Sequence, residues 1–387
     1  MLNIDSLRFP RYELPASLAP LRREVRAFLH AALVPYSALI RSNTWDGFDP
    51  EFSRKLGARG WLGMSLPKQY GGHERSALER YVIVEETLAA GAPVGFHWIA
   101  DRQSGPVIAR YGTEEQRRKI IPGIAQGEIC FCIGMSEPNS GSDLASVRTK
   151  AERTGDGWLI NGTKIWTTNA HRADYMIALL RTDSSPDSKH RGLSQFLIDL
   201  KHTKGITPRP IQDLTGRRHF NEVVFQDALI PHDALLGKEG EGWKQATAEL
   251  AFERSGPERY LSCFILLSKL IDQVKDHASP AVLSKIGAEV AWASTLRNMS
   301  LAVAGMLNEG IDPGLQASIV KDLGCQFEQR LPGLAQELVS LEPTLAGSGT
   351  DYQQVLGNLT QLAPSFSLRG GTLEILRGII ARGLGVR

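Results

Sequence analysis

Cysteine is scarce in this chain: Cys130, Cys132, Cys263 and Cys325 are all there are among 387 residues. That excludes a disulfide scaffold. Cys130-x-Cys132 has neither zinc-ligand spacing nor a companion pair, so the four read as reduced core residues and no metal site is expected. A dominant charge is also missing, with Lys plus Arg at 44 against Asp plus Glu at 42. This balance argues against a nucleic-acid surface or an acidic tail, and the expected partner is small or only locally charged. Long apolar runs are missing too. No stretch reaches the ~18 uncharged residues of a membrane span. Asp5 and Arg8 stand where a signal peptide needs its apolar core. Membrane insertion is therefore not expected, and the cytoplasm is the expected compartment. No internal repeat is visible, and no strand is followed by the Gly-x-Gly-x-x-Gly of nicotinamide dinucleotide binding.

What is present is enough for a multidomain protein, since 42% hydrophobic residues over this length can bury a sizeable core. From about Ala16 to Gln126 apolar residues recur at helical spacing, with breaks at Gly71-Gly72, Gly91 to Pro93 and Gly112-Thr113. Asp101 to Tyr111 and Glu114 to Ala125 read as two short helices, the second opened by Thr113 as N-cap. Between Ile129 and Leu236 the pattern changes to strands: Ile129 to Met135, Trp158 to Ile160, Tyr175 to Leu180, Gln195 to Ile198 and Glu222 to Phe225. Turns are expected at Thr154-Gly-Asp-Gly157 and Asn161-Gly162. Helical spacing returns through Trp243 to Arg254, Glu258 to Lys275, Pro280 to Asn308, Leu315 to Leu341 and Thr372 to Leu384. The expected fold is α+β: an N-terminal helical domain over 1–126, a middle antiparallel β-barrel-like domain over 127–240 and a C-terminal four-helix bundle over 241–387.

The most specific strings are Gly134-Met-Ser-Glu-Pro-Asn-Ser-Gly-Ser-Asp143 and Asn161-Gly-Thr-Lys-Ile-Trp-Thr-Thr-Asn169. An apolar strand that ends in Ser136-Glu-Pro138 and a Ser140-Gly-Ser142 turn puts hydroxyls and backbone N–H groups at a sheet edge, which suits a polar, partly anionic ligand. Together with Gly60-Trp-Leu-Gly-Met-Ser-Leu-Pro67, Gly112-Thr-Glu-Glu-Gln116, Phe225-Gln-Asp-Ala-Leu-Ile-Pro231, Gly240-Glu-Gly-Trp243 and Gly370-Gly-Thr372, these strings resemble the acyl-CoA dehydrogenase family in order and over nearly the whole chain.

The resemblance implies FAD as cofactor. Ile133, Met135 and Ser136 would meet the flavin, the Ser136 hydroxyl at its N1 and O2 region. Ser142 would line both cofactor and thioester, and Trp166 and Thr167 would pack at the ring. Thr168 would donate a hydrogen bond to N5, where it stabilises the charge that develops there. Thr372 and Glu374 would touch the flavin from the helix that follows Gly370-Gly371, with Thr372 as its N-cap. Without the resemblance, Ser136 and Ser142 could equally cap turns and Trp166 could be a core residue.

Removing hydrogen from the α and β carbons of a thioester needs a base, best a carboxylate whose burial raises its pKa. Many family members carry it in a Tyr-Glu-Gly-Thr string, but here Arg369-Gly-Gly-Thr372 puts Gly370 at that position, beside the acyl group. The isovaleryl-CoA and long-chain branches place the base on the first long helix of the C-terminal domain. By that analogy it is Glu253, in Leu250-Ala-Phe-Glu-Arg254, with Arg254 organising the carboxylate and the acyl end. A kink at Gly256-Pro257 would leave polar backbone facing a cavity. Glu249 and Glu258 are weaker bases in this frame, and a solvated Glu253-Arg254 face is the plainer alternative.

Two family strings for the adenine end of the flavin are altered, to Lys275-Asp-His-Ala-Ser-Pro280 and Leu345-Ala-Gly-Ser-Gly-Thr350. The resemblance implies an acyl-CoA substrate, an electron-transfer flavoprotein as electron acceptor and a homotetramer or dimer. With these departures, a heteromer with a related chain is implied as well. Arg369 either greets a polar acyl group or makes a surface ion pair, the simpler expectation. A non-catalytic half-site subunit and a flavin-dependent monooxygenase on the same fold are the alternative functions.

Overall fold

The computed structural model describes residues 7–43, 46–185, 187–253 and 256–386, over 248–253 as backbone alone. Six helices come first: α1 Ala19–Ala32, α2 Ala38–Arg41, α3 Pro50–Gly57, α4 Ala77–Ala89, α5 Gly105–Tyr111 and α6 Glu114–Gln126. Eight strands follow: β1 Phe131–Gly134, β2 Lys150–Arg153, β3 Trp158–Thr168, β4 Tyr175–Arg181, β5 Leu193–Asp199, β6 Ile206–Ile211, β7 Phe220–Ile230 and β8 Leu235–Leu236. The helices α7 Gly242–Glu253, α8 Phe264–Val274, α9 Pro280–Asn308, α10 Gly314–Leu338, α11 Asp351–Leu362 and α12 Leu373–Gly383 complete the order.

Local chemistry accounts for most of these boundaries. Thr113 opens α6 through a reciprocal capping box with Gln116, and Gly127 closes it in the left-handed conformation. Thr154 N donates to Gly157 O at 2.8 Å and closes the β2–β3 hairpin. Three expectations need correction. Asn161-Gly162 is not a turn but a bulge inside β3, where the register against β7 shifts between Ile160 and Gly162. Gly162, at φ +144°, is pressed on Thr149 so closely that a Cβ would lie 2.6 Å from its Oγ1. Glu258 to Lys275 is not one helix. The chain makes a 3₁₀ turn, Pro257–Arg259, leaves helical geometry at Tyr260 (φ −146°), and α8 begins only at Phe264. Asp101 to Tyr111 starts as a π-helical turn, Ala100–Ser104, before α5.

The chain divides into two compact units. One comprises residues 1–49, 75–95 and 251–387. Its helical core packs Tyr81 on α4 with Leu301 and Ala304 on α9, covered by Tyr12, Leu14 and Leu78. Val303 packs against Ala317 and Val320 of α10. Glu85 and Glu86 of α4 are buried but paired with Arg22, Arg26 and Arg297.

The other unit comprises residues 50–74 and 96–250. Its sheet runs β6-β7-β3-β2-β4-β5-β8, with β1 paired to β4. All pairs are antiparallel except β1 with β4 and β2 with β4. Met176 to Leu180 of β4 are buried throughout, the mark of a central strand. Val147, Leu179 and Leu193 form a cluster against which Met135, Leu144 and Trp243 pack.

All four cysteines are free and buried, and burial pushes the Cys130 thiol up to about 12, which makes it inert as a thiolate. Among the described residues no helix is long and apolar enough to cross a membrane.

Candidate functional site

The strand end Ile133–Ser136 is tied to β3 by main-chain and side-chain bonds. Ser136 O accepts from Ile165 N at 2.9 Å, and Met135 O accepts from Lys164 Nζ at 3.0 Å. Lys164 also donates to Glu137 Oε1 at 2.9 Å. The Glu137 carboxylate accepts in addition from Thr149 N at 2.8 Å and Arg148 N at 2.7 Å. Burial drives the Lys164 ammonium down to about 8 despite the attraction of Glu137. Burial works to raise Glu137, but the Lys164 ammonium and the N–H donors hold its carboxyl below the usual range.

Beyond Lys164, β3 carries a second bulge. Its register against β7 shifts between Lys164 and Thr167, and Trp166 (φ +59°) and Asn169 (φ +57°) adopt left-handed backbone. The bulge re-aims side chains. Trp166 is left 57% exposed, with its edge toward Phe220 at 6.0 Å between ring centroids. Thr167 is buried, and its Oγ1 has no hydrogen-bond partner among the described residues. Thr168, Met135, Ser136 and Ile133 are half-buried and Ser142 is exposed. Met135 and Ser136 are thus brought together with Trp166 through the Ser136–Ile165 bond.

In the other unit, Gly370 (φ +66°) and Gly371 (φ +95°) form the turn before α12. Gly371 O accepts from Lys321 Nζ at 2.5 Å, and Lys321 is fully buried on α10. One Nη of Arg369 lies 3.2 Å from Glu328 Oε2 and 2.6 Å from Ser262 Oγ. Glu328 is fully buried, and its other oxygen accepts from Ser262 N at 2.7 Å. Arg369 therefore does not make the surface pair expected of it. The Pro257–Arg259 turn and α10 enclose its guanidinium, which stacks over Phe366 with Cζ 4.4 Å from the ring centre. Thr372 occupies the N-cap position of α12 but makes no capping bond with its side chain. Its hydroxyl serves Glu374 instead, which backbone N–H and that hydroxyl hold below the usual carboxylate range. Helix α7 runs to Glu253, while the side chains of 248–255, including Glu253 and Arg254, lie outside the described residues.

The acyl-CoA dehydrogenase N-terminal domain matches residues 17–128 and the acyl-CoA dehydrogenase middle domain matches residues 132–228. The acyl-CoA dehydrogenase IpdE1 of Mycobacterium tuberculosis is 32% identical over 373 residues, which cover 93% of this chain and 95% of that protein. The chain belongs to the acyl-CoA dehydrogenase family.

Among solved members of that family, the Tcur3481–Tcur3483 steroid ACAD superposes with a TM-score of 0.86 at 30% identity, covering 97% of this chain and all of that one. The ChsE4–ChsE5 complex from Mycobacterium tuberculosis gives 0.84 at 28% identity, covering 98% and 100%. The residues present here fit the flavin of an acyl-CoA dehydrogenase. An open indole at Trp166 and a buried Thr167 Oγ1 without a hydrogen-bond partner among the described residues, with half-buried Ser136 and Thr168 close in the chain or bonded to it, supply an aromatic ring and polar groups of the kind a flavin takes.

Sequence reasoning missed the groups that hold this edge in place. Lys164 and Glu137 both stand inside the strings that carry the resemblance. The signal was a lysine directly before the apolar Ile165-Trp166 in the middle of the resemblance, since a lysine that turns inward has to find a buried acid.

Proposed function

We propose that this chain is an FAD-dependent acyl-CoA dehydrogenase that removes the α proton and β hydride of an acyl-CoA thioester to give the trans-2-enoyl-CoA. The observation that carries this is the Ser136–Ile165 junction, which gathers Met135, Ser136 and Trp166 at one sheet edge. Bound there, the flavin supplies the hydride acceptor. Ser136 and Thr168 offer hydroxyls to its polar edge, and Trp166 offers a face to its ring. Ser142 lines the cofactor and the thioester. Glu253 takes the α proton, and Arg254 orients its carboxylate. Gly370, without a side chain, leaves room at the position where many relatives carry the base. By the family resemblance Thr372 and Glu374, at the start of α12, also serve the flavin. The family's division at 1–126, 127–240 and 241–387 is the domain reading we adopt.

The acyl group in this reading is bulky and polycyclic, because a well-matched structural relative is named a steroid ACAD. Assembly with a related chain has three supports. The adenine-end strings are altered, and the well-matched ChsE4–ChsE5 structure is a complex. In addition, α9 leaves Leu283 and Val290 open to water on a helix of 29 residues with few charges. An electron-transfer flavoprotein is the proposed electron acceptor.

The test is the visible absorbance of the purified chain, followed by anaerobic titration with acyl-CoA thioesters of increasing bulk. Flavin bands that bleach on addition of a bulky thioester support the proposal. A folded chain that stays colourless in the presence of FAD, and gains colour only with a companion chain, would make it a half-site subunit. Bound flavin that no thioester bleaches would overturn the activity.

A further inference from the structure

A run of hydrogen bonds leads from Arg172, in the turn after β3, to the backbone of the Trp166–Thr168 edge. Arg172 Nε donates to His171 Nε2 at 2.8 Å. His171 Nδ1 lies 2.9 Å from Asn221 Oδ1. Asn221 Nδ2 donates to Thr167 O at 3.0 Å and to His219 O at 3.3 Å. Because a guanidinium can only donate, Nε2 of His171 is the acceptor and the imidazole proton sits on Nδ1. Nδ1–H then donates to Asn221 Oδ1, which turns the amide nitrogen toward Thr167. One arginine thus fixes a tautomer, the tautomer fixes an amide, and the amide fixes a peptide.

The peptide so held needs holding. Left-handed backbone at Trp166 and Asn169 brackets Thr167 and Thr168, and each such residue costs roughly 1 kcal/mol or more unless its surroundings over-determine it. Asn221 is fully buried and pairs directly with Thr167 across the β3–β7 ladder. Asn169 N is also engaged, donating to His219 O at 2.6 Å.

We propose that His171 and Asn221 are positioning residues that hold the Thr167–Thr168 edge in place for the flavin, and that the neutral imidazole, anchored at both nitrogens, does so best. This rests on the reading that Thr168 faces the flavin. Burial first, then the neighbouring Arg172, hold His171 below the ordinary imidazole value. Among the described residues, His219, whose carbonyl shares the Asn221 amide, and Asp213, whose Oδ2 lies 3.4 Å from His219 Nδ1, also stand beside the relay. A proton added to Nε2 would face the Arg172 donor and break that bond, while Nδ1–H keeps its bond to Asn221, which works to raise His171; the charged ring has lost one of its two anchors. Because the folded-state value is depressed, the stability this group contributes is present above the ordinary value. It is lost as pH falls through the folded value.

The test uses the FAD-loaded protein, with ¹⁵N-labelled histidine, from pH 5 to 8. Three outcomes are expected. The His171 signals show the neutral Nδ1–H tautomer at neutral pH. The wild-type flavin spectrum shifts reversibly as His171 titrates, while His171→Gln, which keeps a donor but cannot titrate, is flat over the same range. Asn221→Ala weakens FAD binding about tenfold, the worth of one net hydrogen bond; should it fail to fold, Asn221→Ser replaces it. An Nε2–H tautomer, or coincident pH profiles for wild type and His171→Gln, would overturn the proposal. A chain that takes up no FAD sinks the flavin reading instead, and the tautomer still decides whether the relay exists.

Discussion

Lys164 and Glu137 form an ion pair at 2.9 Å with the lysine side chain wholly buried and the glutamate nearly so. Such a pair contributes little net stability, because two charges must leave water to make it, yet breaking it strands the survivor. Its value here is positional. The same ammonium binds Met135 O, so the strand end that presents Ser136 cannot move without exposing a buried charge.

Lys164→Met leaves the Glu137 carboxylate buried without its cation, and should cost about 3–5 kcal/mol. The paired replacement Lys164→Met with Glu137→Gln should recover part of that, since Gln removes the buried charge and keeps an acceptor for Thr149 N and Arg148 N, while failing to recover flavin affinity, because Met135 O has lost its donor. Urea unfolding and FAD titration of the three proteins separate the two effects. Full recovery of FAD affinity in the double variant would show that the pair is structural only.

Lys164 also sets a pH dependence. Its folded-state value lies near about 8, below the ordinary lysine value of 10.5, so between those limits the unfolded chain binds more protons than the folded one. Stability from this group therefore rises with pH across that window. The clamp does the opposite, since deprotonation weakens the charge that grips Met135 O and Glu137. Flavin affinity should fall with a midpoint near about 8 while thermal stability does not fall in parallel, and Lys164→Met should show no such midpoint. Parallel loss of both in the wild type would refute the assignment.

Much of this was legible in the sequence where a local rule governs. The 29 residues of α9 begin at Pro280 and end at Asn308, as their spacing predicts. Thr113 caps α6 because its hydroxyl has one natural target. What escaped was set by contacts distant in sequence. Asn161-Gly162 has turn chemistry, but the pairing of β3 with β7 overrides it and leaves a bulge. Arg369 looks like a surface residue until α10 brings Glu328 to it across 41 positions. Helix α11, Asp351–Leu362, went unread because Gly357 interrupts its pattern. That glycine is where α11 meets the main chain of Thr344, which a Cβ would approach to 2.7 Å.

Helix α10 offers a separate lever on the Gly370-Gly371 turn. Lys321 and Glu328 are seven residues apart, two turns on one helix face, and they hold Gly371 O and Arg369 respectively. Arg369→Leu should cost about 3–5 kcal/mol by stranding buried Glu328. Lys321→Met, which removes one charged donor, should cost about 1–3 kcal/mol. Lys321→Met should also loosen the turn enough to raise KM for the thioester more than it lowers kcat. Unchanged KM in a folded Lys321→Met protein would mean that the turn needs no such support.

The base assignment has the sharpest consequence. Glu253→Gln keeps the size and hydrogen-bonding edge of the side chain but cannot accept the α proton, so the flavin spectrum and thioester affinity should survive. Acyl-CoA-driven bleaching should slow by roughly 10²–10⁴-fold, the usual contribution of a positioned general base. Glu258 is the control, because it is buried at the 3₁₀ turn after α7 and its own carbonyl accepts from Ser262 and Arg369. Glu258→Gln should leave those two contacts in place, since its backbone, not its carboxylate, makes them, and should leave bleaching near wild type. If the two variants exchange these behaviours, the proton goes to Glu258 and the analogy that selected Glu253 fails. If neither slows bleaching, the base lies on neither residue, and the Gly370 position, vacant of any carboxylate, no longer needs a substitute on α7.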